Sequence, residues 1–111
     1  MDELTALAGL AALSQPTRLA TFRLLVKQAP EGIAAGEIAR LLDTPQNTMS
    51  THLSVLARAG LVTSERHSRS IIYRASFEGA RDLVQFLLTD ACGDRPEISE
   101  PIAKALKAGR R

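Results

Sequence analysis

Apolar residues recur with a helical period at the start of the chain. Leu4, Leu7 and Ala11 fall on one side of a first predicted helix, which ends near Leu13. Ser14 is a favourable capping residue, so a second helix is predicted to begin there. This second helix runs to about residue 28, shortly before a proline and a glycine that stop it.

Two further helices are predicted around a tight turn. The first covers residues 37–42, and the second covers residues 45–59, with Thr44 as its expected N-cap and Gly60 just past its end. Ile33–Ala34, which comes before them, is long enough only for a short strand or an extended link. Two helices joined by so short a turn form a helix-turn-helix.

The period becomes strand-like after residue 60. Residues 61–66 and 70–74 are rich in β-forming residues and flank a polar tip at 67–69, which predicts a hairpin over residues 62–74. A last amphipathic helix then closes at Cys92 and Gly93. Its apolar positions are Ala80, Leu83, Val84, Leu87, Leu88 and Ala91.

Length and cysteine content limit the class of protein. A chain of 111 residues is enough for one core, and its single cysteine, Cys92, excludes a disulfide framework and a multi-cysteine zinc site. No apolar run approaches the roughly 20 residues that cross a bilayer, and the first residues are acidic, unlike a secretory signal. We therefore expect a cytoplasmic protein with no membrane partner.

The charge is distributed unevenly along the chain. The net charge is +2 overall, but residues 44–74 carry +3 and residues 75–100 carry −4. This asymmetry is typical of a protein with one face for a polyanion, although scattered solvated charges would give the same counts.

The predicted helix at 45–59 has one apolar and one polar side. Met49, Leu53 and Leu56 share the apolar side and must pack inward, while short hydroxyl and amide side chains occupy the other. Such side chains let a helix lie in the major groove, whereas the alternative interpretation is a solvated surface. The candidate DNA-binding residues of this helix are Gln46, Asn47, Thr48, Ser50, Thr51, His52, Ser54 and Arg58.

Two positions in this region admit more than one role. His52 lies beside the apolar side of its helix, so it is either a half-buried structural histidine or a phosphate donor or ligand. Arg66 and Arg69 bracket the hairpin tip with His67, and arginines there either contact DNA or only increase solubility. We include Arg66 and Arg69 among the candidate DNA contacts.

Several motifs together resemble the ArsR/SmtB family of winged helix-turn-helix repressors. They are SQPTR at 14–18, EIA at 37–39, PQNTMSTHLSVL at 45–56, AGLV at 59–62 and IY at 72–73. The resemblance covers residues 4–91. It implies a mainly α fold with a small β-hairpin (α+β), about five helices, and a homodimer formed through the first and last helices. Residues 1–93 would then form the DNA-binding and dimerisation domain, and residues 94–111 a C-terminal tail with one weakly amphipathic stretch.

The resemblance also implies an interface and a means of release. The predicted dimer interface consists of Leu4, Leu7, Ala11, Leu83, Val84, Leu87 and Leu88. Family members release DNA when an effector binds. The glycine that is usual in the family's wing is missing here, and Ser68 stands at the tip.

No effector site of the family is complete in this sequence. The short helix before the turn lacks cysteine, and residues 81–91 lack histidine. The segment ACGDRPEI at 91–98 resembles a three-cysteine arsenic site of some members, but only Cys92 remains. The sequence therefore predicts no cofactor and no metal site, with Cys92 as a weak candidate for a metalloid or redox sensor, and leaves the effector unknown.

The sequence favours a DNA-binding repressor over two other classes. No nucleophile and base pair, paired carboxylates or phosphate-binding loop is present, so we expect no enzyme. A winged-helix module that binds only proteins is the more serious rival. We predict a sequence-specific homodimeric repressor that binds a palindromic operator of double-stranded DNA through the helix at 45–59 and the wing at 62–74.

Overall fold

A computed structural model describes residues 1–109 of the chain. The elements in chain order are α1 (Glu3–Leu13), α2 (Pro16–Lys27), β1 (Ile33–Ala34), α3 (Ala35–Leu41), α4 (Gln46–Arg58), β2 (Val62–His67), β3 (Ser70–Ala75), α5 (Phe77–Phe86), a π-helical turn (Leu87–Ala91) and α6 (Pro96–Gly109). None of the helices in residues 1–109 has the length and apolar character that a bilayer span needs.

The first two helices agree with the predicted ones except for the cap between them. The side chain of Gln15 caps α2 by accepting a hydrogen bond from the Arg18 backbone N–H at 2.8 Å. The predicted cap, Ser14, instead ends α1, where its hydroxyl donates to the Ala11 carbonyl at 2.9 Å. The prediction of the Ser14 cap was wrong because its hydroxyl is already used by the preceding helix.

Three antiparallel strands form a small sheet in the order β1-β3-β2. The hairpin pairs His67 with Ser70, so its loop has two residues, Ser68 and Arg69. Ser68 has φ +59°, the left-handed conformation that glycine adopts most easily, and it supplies the turn that the missing glycine would have made. β1 approaches β3 at Gly32, where an added Cβ would lie 2.7 Å from the Tyr73 carbonyl oxygen.

The C-terminal half differs from its prediction in two ways. The predicted last helix is not uniform, because its second part, Leu87–Ala91, is a π-helical turn that holds an extra residue per turn. The predicted tail contains a sixth α-helix, α6, in addition to the about five that were predicted. Ile98, Ile102 and Leu106 recur at every fourth residue of α6, and only the part from Ile102 to Leu106 was predicted, as a weakly amphipathic stretch.

The core lies where α1–α4 meet the sheet and the start of α5. Its largest fully buried side chains are Leu25, Ile38, Met49, Leu53, Leu56 and Leu61. The buried residues of α1 are all small, Ala6, Gly9 and Ala12, which lets it approach the other helices closely. Leu4, Leu7 and Leu10 point away from the core, whereas Leu13, at the end of the helix, packs against it.

Arg18 joins three helices of the core. Its Nε donates to the carbonyl of Ala12 at 2.7 Å, which satisfies an otherwise unpaired group at the end of α1. Its Nη1 lies 3.3 Å from Nδ1 of His52 on α4. Burial, and next the positive charge of Arg18, lower the pKa of His52 below its usual value.

The backbones of two elements touch at Gly60 and Gly79. An ideal Cβ on Gly79, in the first turn of α5, would lie 1.9 Å from the carbonyl oxygen of Gly60. The same junction is held by the Ser76 N–H, which donates to the Leu61 carbonyl at 2.8 Å. The end of α4 and the start of α5 therefore lie in direct backbone contact.

We expect Gly79→Ala to destabilise the protein by about 2 kcal/mol or more, because the new methyl group has no room unless α5 moves. The free energy of unfolding in urea, measured at one protein concentration, tests this. Gly109→Ala is the control, since a Cβ there meets nothing within 4 Å. Equal stabilities of the two variants would contradict the close contact.

We also expect the free energy of unfolding to fall as pH drops below about 6.5. Because the pKa of His52 is lowered in the folded state, the unfolded chain binds the proton more readily, and acid therefore favours unfolding. His52→Gln should flatten this dependence between pH 7.5 and 5.5 in urea titrations. An unchanged slope in the variant would show that His52 does not titrate differently in the two states.

Candidate nucleic-acid interface

The polar and apolar sides of α4 face opposite surroundings. Met49, Leu53 and Leu56 are fully buried and fix the rotation of the helix about its axis. The polar residues on the other side are exposed, as predicted from the spacing: Gln46, Asn47, Thr48, Ser50, Thr51, Ser54 and Arg58. The outer surface of α4 is thus a stripe of short polar side chains that ends in an arginine.

Two residues in the first half of this stripe have partly engaged polar groups. The hydroxyl of Thr51 donates to the Asn47 carbonyl at 3.3 Å, which directs it along the helix. The side-chain oxygen of Asn47 accepts from the Thr48 N–H at 2.9 Å. The amide NH₂ of Asn47 and the methyl group of Thr51 remain suited to adenine and thymine edges.

The turn before α4 sets the angle between the two helices of the motif. The Thr44 N–H donates to the Ala39 carbonyl at 2.9 Å, and Asp43 has φ +48°. The predicted role of Thr44 as N-cap of α4 was wrong, because its hydroxyl donates to the Leu42 carbonyl at 3.0 Å and Pro45 precedes the helix. The side chain of Thr44 therefore stabilises the turn itself.

The wing carries charges on two faces. On one face Glu65 lies between His67, with Nε2 and Oε2 3.3 Å apart, and Arg74, with Nη1 and Oε1 2.8 Å apart. Hydrogen bonds from His67 and then Arg74 lower the pKa of this carboxyl. Arg66, one residue along the strand, points to the opposite face, because side chains alternate.

Three exposed arginines of this region have no acidic partner within residues 1–109. Arg58 ends α4, Arg66 lies on β2, and Arg69 occupies the wing loop. The ion pairs found in that part of the chain use other bases: Arg40 with Glu37, Arg74 and His67 with Glu65, and Arg95 with Glu97. α4 and the wing therefore carry three exposed positive charges without acidic partners in the described part of the chain.

A groove lies between the start of α4 and the wing. It has a volume of about 280 Å³, and its lining includes Gln46 from the start of α4 and Arg69 from the wing loop. Gly36 on α3 forms part of the wall, and a Cβ there would lie 3.1 Å from Nε2 of Gln46. Sequence reasoning missed this groove and Gly36, since no local pattern indicates contact between such distant segments.

His52 differs from the other nine candidate DNA contacts because it is half-buried. Its contact with Arg18 favours the structural role over that of a phosphate donor. The sequence analysis named Arg18 only as part of the SQPTR motif. Its position in the first turn of a helix that begins at a proline is the signal that could have assigned it a role.

Large apolar side chains are exposed mainly on the helices outside the helix-turn-helix. Leu4 is 79% exposed and Leu7 53% on α1, and Val84 is 55% exposed on α5. Ala11 is also exposed, and Leu87 and Leu88 are half-buried. Leu83 is only 5% exposed, because it packs into the core of its own protomer beside Gly9.

Cys92 follows the π-helical turn, is partly exposed and has a free thiol. Among residues 1–109, no three His, Cys, Asp or Glu side chains lie close enough together to hold a metal ion. The role of Cys92 as a sensor stays a prediction.

Comparisons with known proteins agree with this geometry. A family model described as a helix-turn-helix domain matches residues 13–65. The chain is 34% identical over 86 residues to the biofilm growth-associated repressor of Agrobacterium fabrum, covering 78% of this chain and 71% of that protein. It is 39% identical over 66 residues to the transcriptional repressor SmtB of Mycobacterium tuberculosis, covering 59% and 46% of the two chains.

The fold is also found in solved structures. An ArsR-like transcriptional regulator from Rhodococcus sp. RHA1 superposes with a TM-score of 0.71 over 96% of this chain and 93% of the other, at 24% identity. The motifs, the winged helix-turn-helix and these relatives agree, and the chain belongs to the ArsR/SmtB family of winged helix-turn-helix transcriptional regulators.

Proposed function

We propose that this protein is a homodimeric transcriptional repressor rather than an enzyme, and that it binds a palindromic operator. The observation that carries the proposal is the continuity of α4 and the wing. Gln46 and Arg69 line one groove, and the exposed polar stripe of α4 begins at its edge. Relatives of the chain that are named as repressors support the same role.

In this proposal α4 lies in the major groove. Two side chains in the first half of the stripe, Asn47 and Thr51, read base edges, because an amide pairs with adenine and a methyl group contacts thymine. The buried residues Met49 and Leu53 hold the stripe outward, so the helix needs no rearrangement to dock. Arg58 at its end is placed to bind a phosphate.

The wing supplies affinity that does not depend on sequence. Arg66 and Arg69 are exposed and lack acidic partners in the described chain, so each is free to neutralise a phosphate or to enter the minor groove. Arg74 is unsuited to this role because it is held by Glu65 and by the Pro30 carbonyl.

A dimer is needed because one α4 reads only half of a palindrome. The exposed apolar side chains of α1 and α5, chiefly Leu4, Leu7 and Val84, provide a surface for a second copy. A related winged helix-turn-helix domain from Mycobacterium bovis, similar in fold, is described as homodimeric. A two-fold dimer places two recognition helices about one DNA turn apart.

Electrophoretic mobility shift with the DNA upstream of the protein's own gene tests the proposal against a purely protein-binding module. We expect a shifted band that survives an excess of unrelated DNA. If the protein binds neither the upstream DNA nor the unrelated DNA at low salt, the assignment as a repressor is wrong.

We expect Arg69→Ala and Thr51→Ala to weaken DNA binding in different ways. Arg69→Ala should lower affinity for every sequence and reduce the slope of log K against log salt by about 0.9 for each phosphate that is no longer neutralised. Thr51→Ala should cost about 1 to 3 kcal/mol for the operator alone. Arg95→Ala is the control, because this base is paired with Glu97 before α6.

Fluorescence anisotropy titrations at several salt concentrations measure both effects. An Arg69→Ala variant with unchanged affinity and salt slope would contradict the contact between wing and phosphate. A Thr51→Ala variant whose affinity falls equally for operator and unrelated DNA would contradict its role in reading bases.

We expect Leu7→Asp to convert the dimer into a monomer at micromolar concentration. Leu7 is half-exposed in one protomer, so the substitution leaves the protomer core intact but buries a carboxylate in the interface. Val26→Asp is the control, since Val26 is an exposed apolar residue of α2, outside α1 and α5. Sedimentation equilibrium measures the outcome, and a monomeric unmodified protein would contradict the dimer.

A further inference from the structure

The outer part of the wing extends beyond the third strand of the sheet. β1 pairs with β3 over two residues only, and the pair nearer the wing loop is Ala34 with Ile72. Ile72 is also paired with Glu65 on β2. Residues 66–71 lie beyond this point and form a ribbon of two strands, which we call the outer ribbon. Two strands without a third are marginally stable and twist more than a larger sheet.

A series of side-chain contacts connects the base of the wing to the outer ribbon. Glu65, His67 and Arg74 lie on one face of the hairpin, as the register of β2 and β3 requires. Oε1 of Glu65 accepts a hydrogen bond from Nη1 of Arg74 at 2.8 Å, and Oε2 lies 3.3 Å from Nε2 of His67. His67 belongs to the last pair of the ribbon, with Ser70. The carboxylate of Glu65 therefore joins the base of the wing to its outer end.

Arg74 is itself attached to the body of the protein. Its Nε donates to the Pro30 carbonyl at 3.0 Å. Its aliphatic part lies against Gly32, where an added Cβ would be 2.7 Å from Cγ of Arg74. The N–H of Gly32 donates in turn to the carbonyl of Gln28, which ends α2, at 3.1 Å. The contacts thus run from the end of α2 through Arg74 and Glu65 to the wing.

The charge of Glu65 by itself opposes DNA binding. A carboxylate on the wing repels phosphates, and an isolated exposed ion pair adds little to stability. Glu65 has two partners, however, and Arg74 has a second acceptor, so each side chain is oriented by more than one contact. A small energy is enough to favour one direction of a ribbon that no third strand supports.

We infer that Glu65 and Arg74 are positioning residues for DNA binding, which hold the outer ribbon in the direction that brings Arg66 and Arg69 to the DNA. The inference rests on the proposed function, because it concerns the same wing. Neither Glu65 nor Arg74 has to touch DNA in order to act in this way.

Arg74→Lys tests the inference at constant charge. A lysine ammonium lacks the planar fork of a guanidinium, so it cannot hold the Pro30 carbonyl and the Glu65 carboxylate in the same geometry. We expect the affinity for the operator, measured by fluorescence anisotropy, to fall at least about threefold. Arg95→Lys is the matched control, because Arg95 forms an exposed ion pair with Glu97 before α6.

Glu65→Ala distinguishes positioning from charge by the sign of its effect. Loss of a negative charge alone would tighten DNA binding, whereas loss of positioning should weaken it at least about threefold. Glu31→Ala is the control, since Glu31 is an exposed carboxylate beside Pro30 and has no ion-pair partner within residues 1–109. This control should bind as tightly as the unmodified protein or more tightly.

A double-mutant cycle shows whether Glu65 acts through the two arginines of the outer ribbon. In a background of Arg66→Ala with Arg69→Ala, the ribbon has no arginine left to position, so Glu65→Ala should no longer weaken binding. The titrations are made at a low salt concentration at which both backgrounds bind DNA. An equal loss in both backgrounds would show that Glu65 acts on some other part of the protein.

The backbone dynamics of the free protein provide a readout that needs no DNA. We expect the amide order parameters of residues 66–70, from ¹⁵N relaxation, to fall from about 0.85 toward about 0.6 in Arg74→Lys. The amides of Ile33 and Ala34 should keep their values, which also shows that the variant is folded. Unchanged order parameters throughout the wing would contradict the inference.

The outcomes separate this inference from the proposed function. If the unmodified protein binds DNA and Arg69→Ala weakens that binding, but Arg74→Lys and Glu65→Ala bind as tightly as the unmodified protein, the inference alone is wrong. If the unmodified protein binds no DNA, the proposed function is wrong and the inference falls with it.

Discussion

The burial of one side of α4 determines which of its side chains face outward. Met49, Leu53 and Leu56 have almost no exposed surface. Burial of each side chain is worth about 1.5 to 3 kcal/mol, so a rotation of the helix that exposed all three would cost a large part of the stability of a domain of this size. The outward direction of Asn47, Thr51 and Arg58 is therefore a consequence of packing, and no contact made by those residues themselves is needed to hold it.

The packing of the core also leaves an apolar surface and charged surfaces exposed on different elements. α1 approaches the core through Ala6, Gly9 and Ala12, and this choice of small residues leaves Leu4 and Leu7 outside. Three exposed arginines without acidic partners in the described chain, Arg58, Arg66 and Arg69, lie on α4 and the wing, whereas the acidic residues Asp82 and Asp90 lie on α5 and the turn after it. The surface proposed for DNA and the exposed leucines of α1 therefore belong to different elements of the chain.

Periodicity predicted the elements well where each one is closed by a clear breaker. The helix at 45–59, with Gly60 behind it, and the hairpin around residues 67–69 are examples, each within one residue of its observed end. The capping residues were harder, because Ser14 and Thr44 each have a choice of acceptor that depends on the turn around them. The local sequence does not show which acceptor each hydroxyl uses.

Features that depend on contacts between distant residues could not be predicted from the sequence. Amphipathic spacing shows that a side chain is buried, but not against what, and Leu83 turned out to be covered by its own protomer. The extra residue of the π-helical turn changes the register of a helix without changing its composition. The groove shared by Gln46 and Arg69 brings together α3, α4 and the wing, which are distant from one another in the sequence.

The contact between Gly60 and Gly79 has a consequence for the geometry of the DNA site. It consists of backbone atoms, so no change of side-chain rotamer can lengthen it, and α4 is held at a constant offset from α5. In a dimer built on α5 the separation of the two recognition helices is then nearly rigid. One added base pair between half-sites would shift them by about 3.4 Å and turn them by about 34°. In the proposed dimer, such a junction would make DNA binding depend on the spacing of the half-sites as well as on their sequence.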